Sequence, residues 1–309
     1  MRTRLFLLTL VVFSLLTALP VAAQEGSLTL TPLGSYNTNT FAEGGAEIVA
    51  YDAATSTLFV VNGASKTIDL IDITDPTAPA LKSQIDVTAY GDGSNSVAVY
   101  GDLVAVAIQA DPSQEPGVVA FFTTAGEFVA SVPVGALPDM LTFTPDGSKV
   151  LVANEGEPSD DYATDPEGSV SIIDLAGGAA ALTEANVTTV GFADFNADGA
   201  RVAEFDAQIR VYGPGATFAQ DAEPEYIVIS PDGTTAYVTL QEDNALVTID
   251  IATGTITALR SWGFKDHSIE GNGIDATDED GAINIALYPV FGMYQPDGMA
   301  IYTAGDALY

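Results

Sequence analysis

The chain is 309 residues long, with 9 Lys plus Arg against 42 Asp plus Glu and a net charge of −33. That balance disfavours nucleic acid and anionic membrane surfaces, both of which are held by clustered cations, and favours cation binding or solubility at high ionic strength. There is no cysteine, so disulfides and thiol chemistry are excluded, while 47% hydrophobic residues supply ample material for a core.

Residues 1–23, MRTRLFLLTLVVFSLLTALPVAA, begin with Arg2 and Arg4 and continue into an apolar run that ends in small residues. This is the layout of a secretory signal peptide, with cleavage expected after Ala23, and the run is short of the roughly 20 residues a membrane span needs. Removing Arg2 and Arg4 from the 9 basic residues leaves 7 against 42 acidic ones, a net charge of −35 for the exported chain. The remainder, 24–309, reads as one domain. The segment SLTLTPLGSY (27–36) alternates like a lone strand, of the kind that completes the last blade of a closed propeller.

A repeat follows. AEIVAYDAATSTLFVVNGASKTIDLIDI (46–73) has counterparts at 94–122, 138–175 and 224–251, and a fifth copy begins at Pro296. Each unit holds an alternating strand, a tight turn, a strand rich in Val and Ala, a polar loop and a third strand ending near Asp. Pro145-Asp146-Gly147 and Pro231-Asp232-Gly233 supply a fixed φ and then a residue tolerant of φ > 0. A fourth strand fits at 81–87, 127–133 and 255–261. Four antiparallel strands in roughly 45 residues is the period of a propeller blade. The expected fold is therefore all-β, a β-propeller of four-stranded antiparallel blades, with a β-sandwich as the rival.

The units start at Glu47, Asn95, Asp139, Glu225 and Asp297, so the first two intervals are 48 and 44 residues and the next two 86 and 72. The long intervals require insertions, or a degenerate blade within 186–223. GARVAEFDAQIR (199–210) has helical spacing at Val202, Phe205 and Ile209 and predicts a short helix or helical loop, and 264–285 reads as a long ordered loop. The fifth unit stops after about one and a half strands, so the ring is expected to close only with residues beyond Tyr309.

The segments LVANEGEPSDDY, QDAEPEY, GFKDHS, DGAINI and MYQPD resemble the choice-of-anchor I family over roughly residues 30–309. Members are large secreted or cell-surface bacterial proteins, with similar animal surface glycoproteins. The resemblance implies a seven-bladed propeller-like domain, often followed by a sorting or anchoring segment. Some relatives carry alkaline-phosphatase or phytase-like names.

Candidate chemistry is carboxylate chemistry. Glu47, Asp139, Glu225 and Asp297, with Asn95, share one place in the repeat, at the entry of the innermost strand, where they would ring one mouth of a propeller channel. Like charges held close raise one another's pKa or demand a cation, and calcium, with six to eight oxygen ligands, suits them. The alternative is that they bond backbone amides between blades. Glu155 and Glu157 open an acidic loop on the same rim, near the equivalents Gln241, Glu242 and Asp243 of the fourth unit. Oxygen donors without His or Cys point to Ca2+ or Mg2+ rather than zinc. DFNADG (194–199) and DATDEDG (275–281) are near misses to EF-type loops and read as local turns. Nucleophilic catalysis would have to use His267, the single histidine, with no G-x-S-x-G elbow; pinning of a loop is the simpler role. The chain is thus expected to be a secreted or cell-surface module that binds an extracellular ligand or partner with calcium. The alternative is a metal-dependent phosphoesterase, in which Lys149, Arg201, Arg210, Arg260 and Lys265 are the basic groups available to hold phosphate.

Overall fold

Alternation of large apolar and polar residues, punctuated by Asp-Gly and Gly turns, drives this chain into short strands, most of which bury part of their length. In the computed structural model, residues 28–305 and 307–309 are described, so the signal-peptide expectation for 1–23 lies outside them. The chain divides into two units, Met1–Leu33 and Gly34–Tyr309. In the first, the described residues 28–33 form no regular element and Leu28 and Leu30 are exposed. Of the strand expected over 27–36, the described residues 28–36 form none.

The second unit contains four antiparallel sheets of four strands, each in sequence order. Blade one is β1 (Val49–Asp52), β2 (Thr57–Asn62), β3 (Thr67–Asp72) and β4 (Ala80–Asp86). Blade two is β5 (Gly93–Tyr100), β6 (Leu103–Gln109), β7 (Pro116–Thr123) and β8 (Phe128–Ala136). Blade three is β9 (Pro138–Phe143), β10 (Lys149–Asn154), β11 (Ser169–Asp174) and β12 (Val187–Gly191). Blade four is β13 (Pro224–Ile229), β14 (Thr235–Leu240), β15 (Ala245–Asp250) and β16 (Thr255–Ser261). The predicted turns form as expected: Gly147 has φ +70° and its N–H donates to Thr144 O at 2.8 Å, and Gly233 has φ +73° and donates to Ser230 O at 2.8 Å.

The first strands β1, β5, β9 and β13 touch one another in succession, as the innermost strands of a propeller do. Side-chain alternation shows the same arrangement. On β10, Val150 and Val152 pack with Ala105, Phe121 and Leu141 between blades two and three. Leu151 and Ala153, on the opposite face, pack with Ile227, Val238 and Val247 of blade four. A third cluster, with Phe59, Ile68, Ile108 and Phe122, joins blades one and two. A middle sheet covered on both faces by other sheets is a propeller blade, and a two-layer sandwich cannot produce it. The fold is a β-propeller with four complete blades among the described residues.

The long interval between blades three and four is an insertion, not a degenerate blade. Residues 192–223 carry no strand and fold on their own aromatic cluster, in which Phe205 and Phe192 meet Phe218 edge-on at 4.9 and 6.0 Å between ring centroids. Residues 199–210 hold a single 3-10 turn, Val202–Glu204, instead of a helix. Val202 of the supposed apolar stripe is exposed, while Phe205 and Ile209 anchor the segment and Arg201 donates to Ile256 O at 2.7 Å. One α-helical turn, α1 (Phe218–Asp221), is capped by Thr217, whose hydroxyl accepts from the Gln220 N–H at 3.3 Å.

The region 264–294 is an ordered loop closed by β17 (Phe264–Asp266) pairing with β18 (Phe291–Met293). His267 lies 2.6 Å from Asn272 O, and Asn272 donates to Asp266 O at 2.9 Å, so the histidine pins this loop. The fifth repeat does not build a blade strand at its start. Residues 296–301 carry no ladder; β19 (Thr303–Ala304) pairs with β20 (Ala307–Leu308), and Tyr302 and Tyr309 extend that pairing by two backbone hydrogen bonds of 2.9 Å. Among the described residues no helix is long and apolar enough to cross a membrane.

Candidate carboxylate site

Each inner strand of blades two to four enters its sheet through a break in register. Asn95 falls between the pairs Ser94–Ile108 and Ser96–Ala107, Asp139 between Pro138–Asn154 and Met140–Ala153, and Glu225 between Pro224–Leu240 and Ile227–Val238. A β-bulge leaves its extra residue unpaired and re-aims the side chain. The repeat-aligned residues of these blades thus all lie in a bulge, Glu225 together with Tyr226 opposite Thr239. In blade two Asn95 uses its freedom to donate to Pro138 O at 3.1 Å, tying one blade to the next. In blades three and four the bulged residues are acids.

Asp139 and Glu225 meet Glu155, the residue after β10. The Glu155 N–H is held by Leu137 O at 3.0 Å, which fixes where its side chain starts. Each of the three offers a carboxylate oxygen, and these oxygens all lie within 4.8 Å of one another. All three residues are half-buried. Burial first, then the charge of Asp297, pushes Asp139 up to about 6. Burial, then Asp139 and Glu225, pushes Glu155 up to about 9. Burial, then Asp139 and Glu242, pushes Glu225 up to about 8. Every cause acts in the same direction because no cation faces the group: ionised together, the three repel, and a proton or a metal ion must intervene.

Asp297 and Glu157 are exposed and act on the triad through charge alone. Glu47 is not part of it. Its exposed carboxylate lies over Gly44 and Gly63 of its own neighbourhood. Farther along the acidic loop after β10, Asp160 and Asp161 are exposed, with Asp161 held below its ordinary range by the Ala163 N–H and the Ser159 hydroxyl, whereas Asp165 is half-buried and is pushed up by burial and by Asp221. In DFNADG, the Gly199 N–H donates to Asn196 O at 2.9 Å in a local turn, while the Asn196 side chain accepts the Ala219 N–H at 2.9 Å.

A second set of buried acids joins Asp243, which the repeat had placed on the rim, with two acids that it had not. Asp221 and Glu223 come from the insertion and Asp243 from the β14–β15 turn, and all three are buried. Asp221 accepts the N–H groups of Tyr212 and of Gly213, the latter at 2.7 Å, and the Tyr212 hydroxyl donates to Glu223 at 2.6 Å. Burial, then Glu242 and Glu157, pushes Glu223 up to about 7 against the bond from Tyr212. Asp221 and Glu223 lie outside every repeat unit, so no alignment of the repeats could have found them.

A model of the Choice-of-anchor I domain matches residues 47–309. A search of curated proteins finds no match. Among solved structures, hydrazine synthase of Kuenenia stuttgartiensis is similar at 17% identity over 67% of this chain and 64% of that one, with a TM-score of 0.39. The β-propeller domain of Cps50 (Swd1) from Myceliophteria thermophila is similar at 12% identity over 73% of this chain and 58% of that one, with a TM-score of 0.47. A chain of a nidogen/laminin complex is similar at 12% identity over 69% of this chain and 62% of that one, with a TM-score of 0.43. The chain spans about three-fifths of the length of these structures.

Proposed function

We propose, from the premise that this chain belongs to the choice-of-anchor I family, that it is a surface β-propeller module which binds an extracellular ligand through a calcium ion at the channel mouth. Family and fold support the surface module, and export through the leader at 1–23 belongs to the same proposal. One observation carries the calcium: Asp139, Glu155 and Glu225, from two blades, each bring an oxygen within 4.8 Å of the others. That spacing lets one ion touch all three. Three carboxylates leave roughly half of calcium's six to eight positions open, and oxygens of a ligand or partner can complete the shell. A phosphoesterase would need cations aimed at the phosphate as well. Among the described residues, Arg210 acts on Glu242 of this rim, lying over the Tyr212 ring at 4.3 Å and donating to Glu242 O at 3.4 Å. Ligand binding is therefore the reading the geometry favours.

The test is calorimetric titration of the chelator-treated chain with CaCl2, paired with melting curves. Saturable binding that raises the melting temperature, and that Glu155→Gln removes, is expected. Absence of binding in the wild type would refute the proposal.

A further inference from the structure

The long loop after blade four carries a strand edge that no other described segment completes. Ile274 and Ala286 form an antiparallel bridge, with two backbone hydrogen bonds of 3.0 Å. Around it the backbone alternates. The N–H groups of Asn284, Ala286 and Tyr288 donate inward, to the Asp275 carboxylate, Ile274 O and His267 O, at 3.1, 3.0 and 3.1 Å. Among the described residues, the N–H groups of Ile283, Ile285 and Leu287 find no partner. In an antiparallel strand successive residues aim their N–H and C=O groups at opposite edges, so these three face an open one. Successive side chains alternate between faces, so Ile283, Ile285 and Leu287 also share a face. They are 89%, 69% and 52% exposed. Ile285 lies over Gly273, and with Leu287 it borders a cleft of about 440 Å3 that Glu270 and Gly271 also line. An exposed apolar edge is a template for pairing with another chain, and proteins ordinarily blunt it with Lys or Pro. Residues 269–288 contain neither.

We propose that residues 283–287 take up an extended segment of a basic partner protein as an added strand. The open edge of Ile283, Ile285 and Leu287 supplies the ladder, and their side chains receive the alternate apolar side chains of the incoming strand. Charge selects the partner. Residues 269–294 hold Glu270, Asp275, Asp278, Glu279 and Asp280 and no Lys, Arg or His. A second copy of this chain would bring the same acids against its own kind, on a molecule of net charge −33. A strand flanked by Lys or Arg meets opposite charge instead, which steers its approach and fixes its choice. The same field turns away anionic lipid surfaces. None of the triad residues belongs to this loop, and the proposal does not rest on calcium.

The experiment titrates two fluorescent peptides with the full chain and reads anisotropy. Both share a Val-Thr-Val-Thr-Val core, flanked on each side by a pair of lysines in one and of glutamates in the other. Saturable binding of the lysine peptide, weakening as salt rises, is expected, with none of the glutamate peptide. Ile285→Pro removes an edge N–H that makes no bond among the described residues, and Leu287→Ser removes an exposed apolar contact. Each should weaken binding about tenfold while circular dichroism and melting temperature stay unchanged. If Ile285→Pro fails to fold, Ile283→Ser takes its place with the same expected loss. A wild type that does not bind the lysine peptide overturns the proposal. So does equal affinity in all the variants, which would reduce the binding to contact with an acidic surface, and so does equal affinity for the two peptides. Sedimentation reads the remaining outcome: a wild-type dimer that Ile285→Pro abolishes makes a second copy the occupant and overturns the basic partner.

Discussion

Glu155 and Glu225 belong to neighbouring blades, yet each holds a carboxylate oxygen within 4.8 Å of the other. Neither strand alone could place them so. Glu155 follows the last ladder pair of β10, Glu225 is bulged out of β13, and the packing of Leu151 and Ala153 against Ile227 brings the two strand ends together. The contact is repulsive in the absence of a cation, and the predictions start from that.

Without divalent cations the protein should lose stability as pH rises. The triad carboxyls have ordinary values of 3.8 and 4.5 and are pushed up to about 6, 8 and 9 in the fold. The native state therefore binds protons more tightly than the unfolded chain. That contribution is complete below about pH 4 and is lost as pH climbs through the folded values. The three titrate as one coupled system. Melting temperature in chelator should fall between about pH 5 and 9, and a flat or rising profile there would contradict the geometry.

Glu155→Gln and Glu225→Gln should raise the melting temperature in chelator, because each removes like charge from a half-buried cluster. In calcium the order should reverse. A ligand at 100 times its Kd stabilises the native state by about 2.7 kcal/mol, and the variants forgo it. Differential scanning of the three proteins with and without calcium reads both effects.

Leu151→Ala should destabilise by about 2–5 kcal/mol, the range for removing a buried leucine. Leu151 is fully buried between blades three and four, so the loss should also loosen the triad. Urea unfolding gives the stability change, and calcium affinity should fall with it.

Gly168→Ala tests whether the insertion is fitted to the blade. A Cβ at Gly168 would collide with Ala222 O and lie 2.7 Å from Glu155 O, while the Gly168 N–H donates to Ala219 O at 3.0 Å. Overpacking of this kind costs typically about 1–3 kcal/mol. It should also displace Glu155, whose carbonyl it meets, and so weaken calcium binding at the triad. Unchanged stability would show that the contact is soft.

Much of the strand pattern is local and was therefore readable. β4, β8 and β16 lie where 81–87, 127–133 and 255–261 were expected, and the Asp-Gly turns at 146–147 and 232–233 have the predicted handedness. The failures were also local patterns, but ones without a partner. The alternation at 27–36 and at the start of the fifth repeat did not become sheet, and the helical spacing at 199–210 closed only one 3-10 turn.

By itself, the sequence determined the all-β blades, the acidic field and the repeat position that carries Asp139 and Glu225, because strand periodicity, turn chemistry and charge are properties of short segments. Only the tertiary structure decided which acids meet. It turned Glu47 back over Gly44, left Asp297 exposed beside the triad, and used an insertion outside the repeat to enclose Asp243 with Asp221 and Glu223. Convergence depends on bulges and on sheet-to-sheet packing, which bring together residues as far apart in sequence as Asp139 and Glu225, and no short window of sequence contains them.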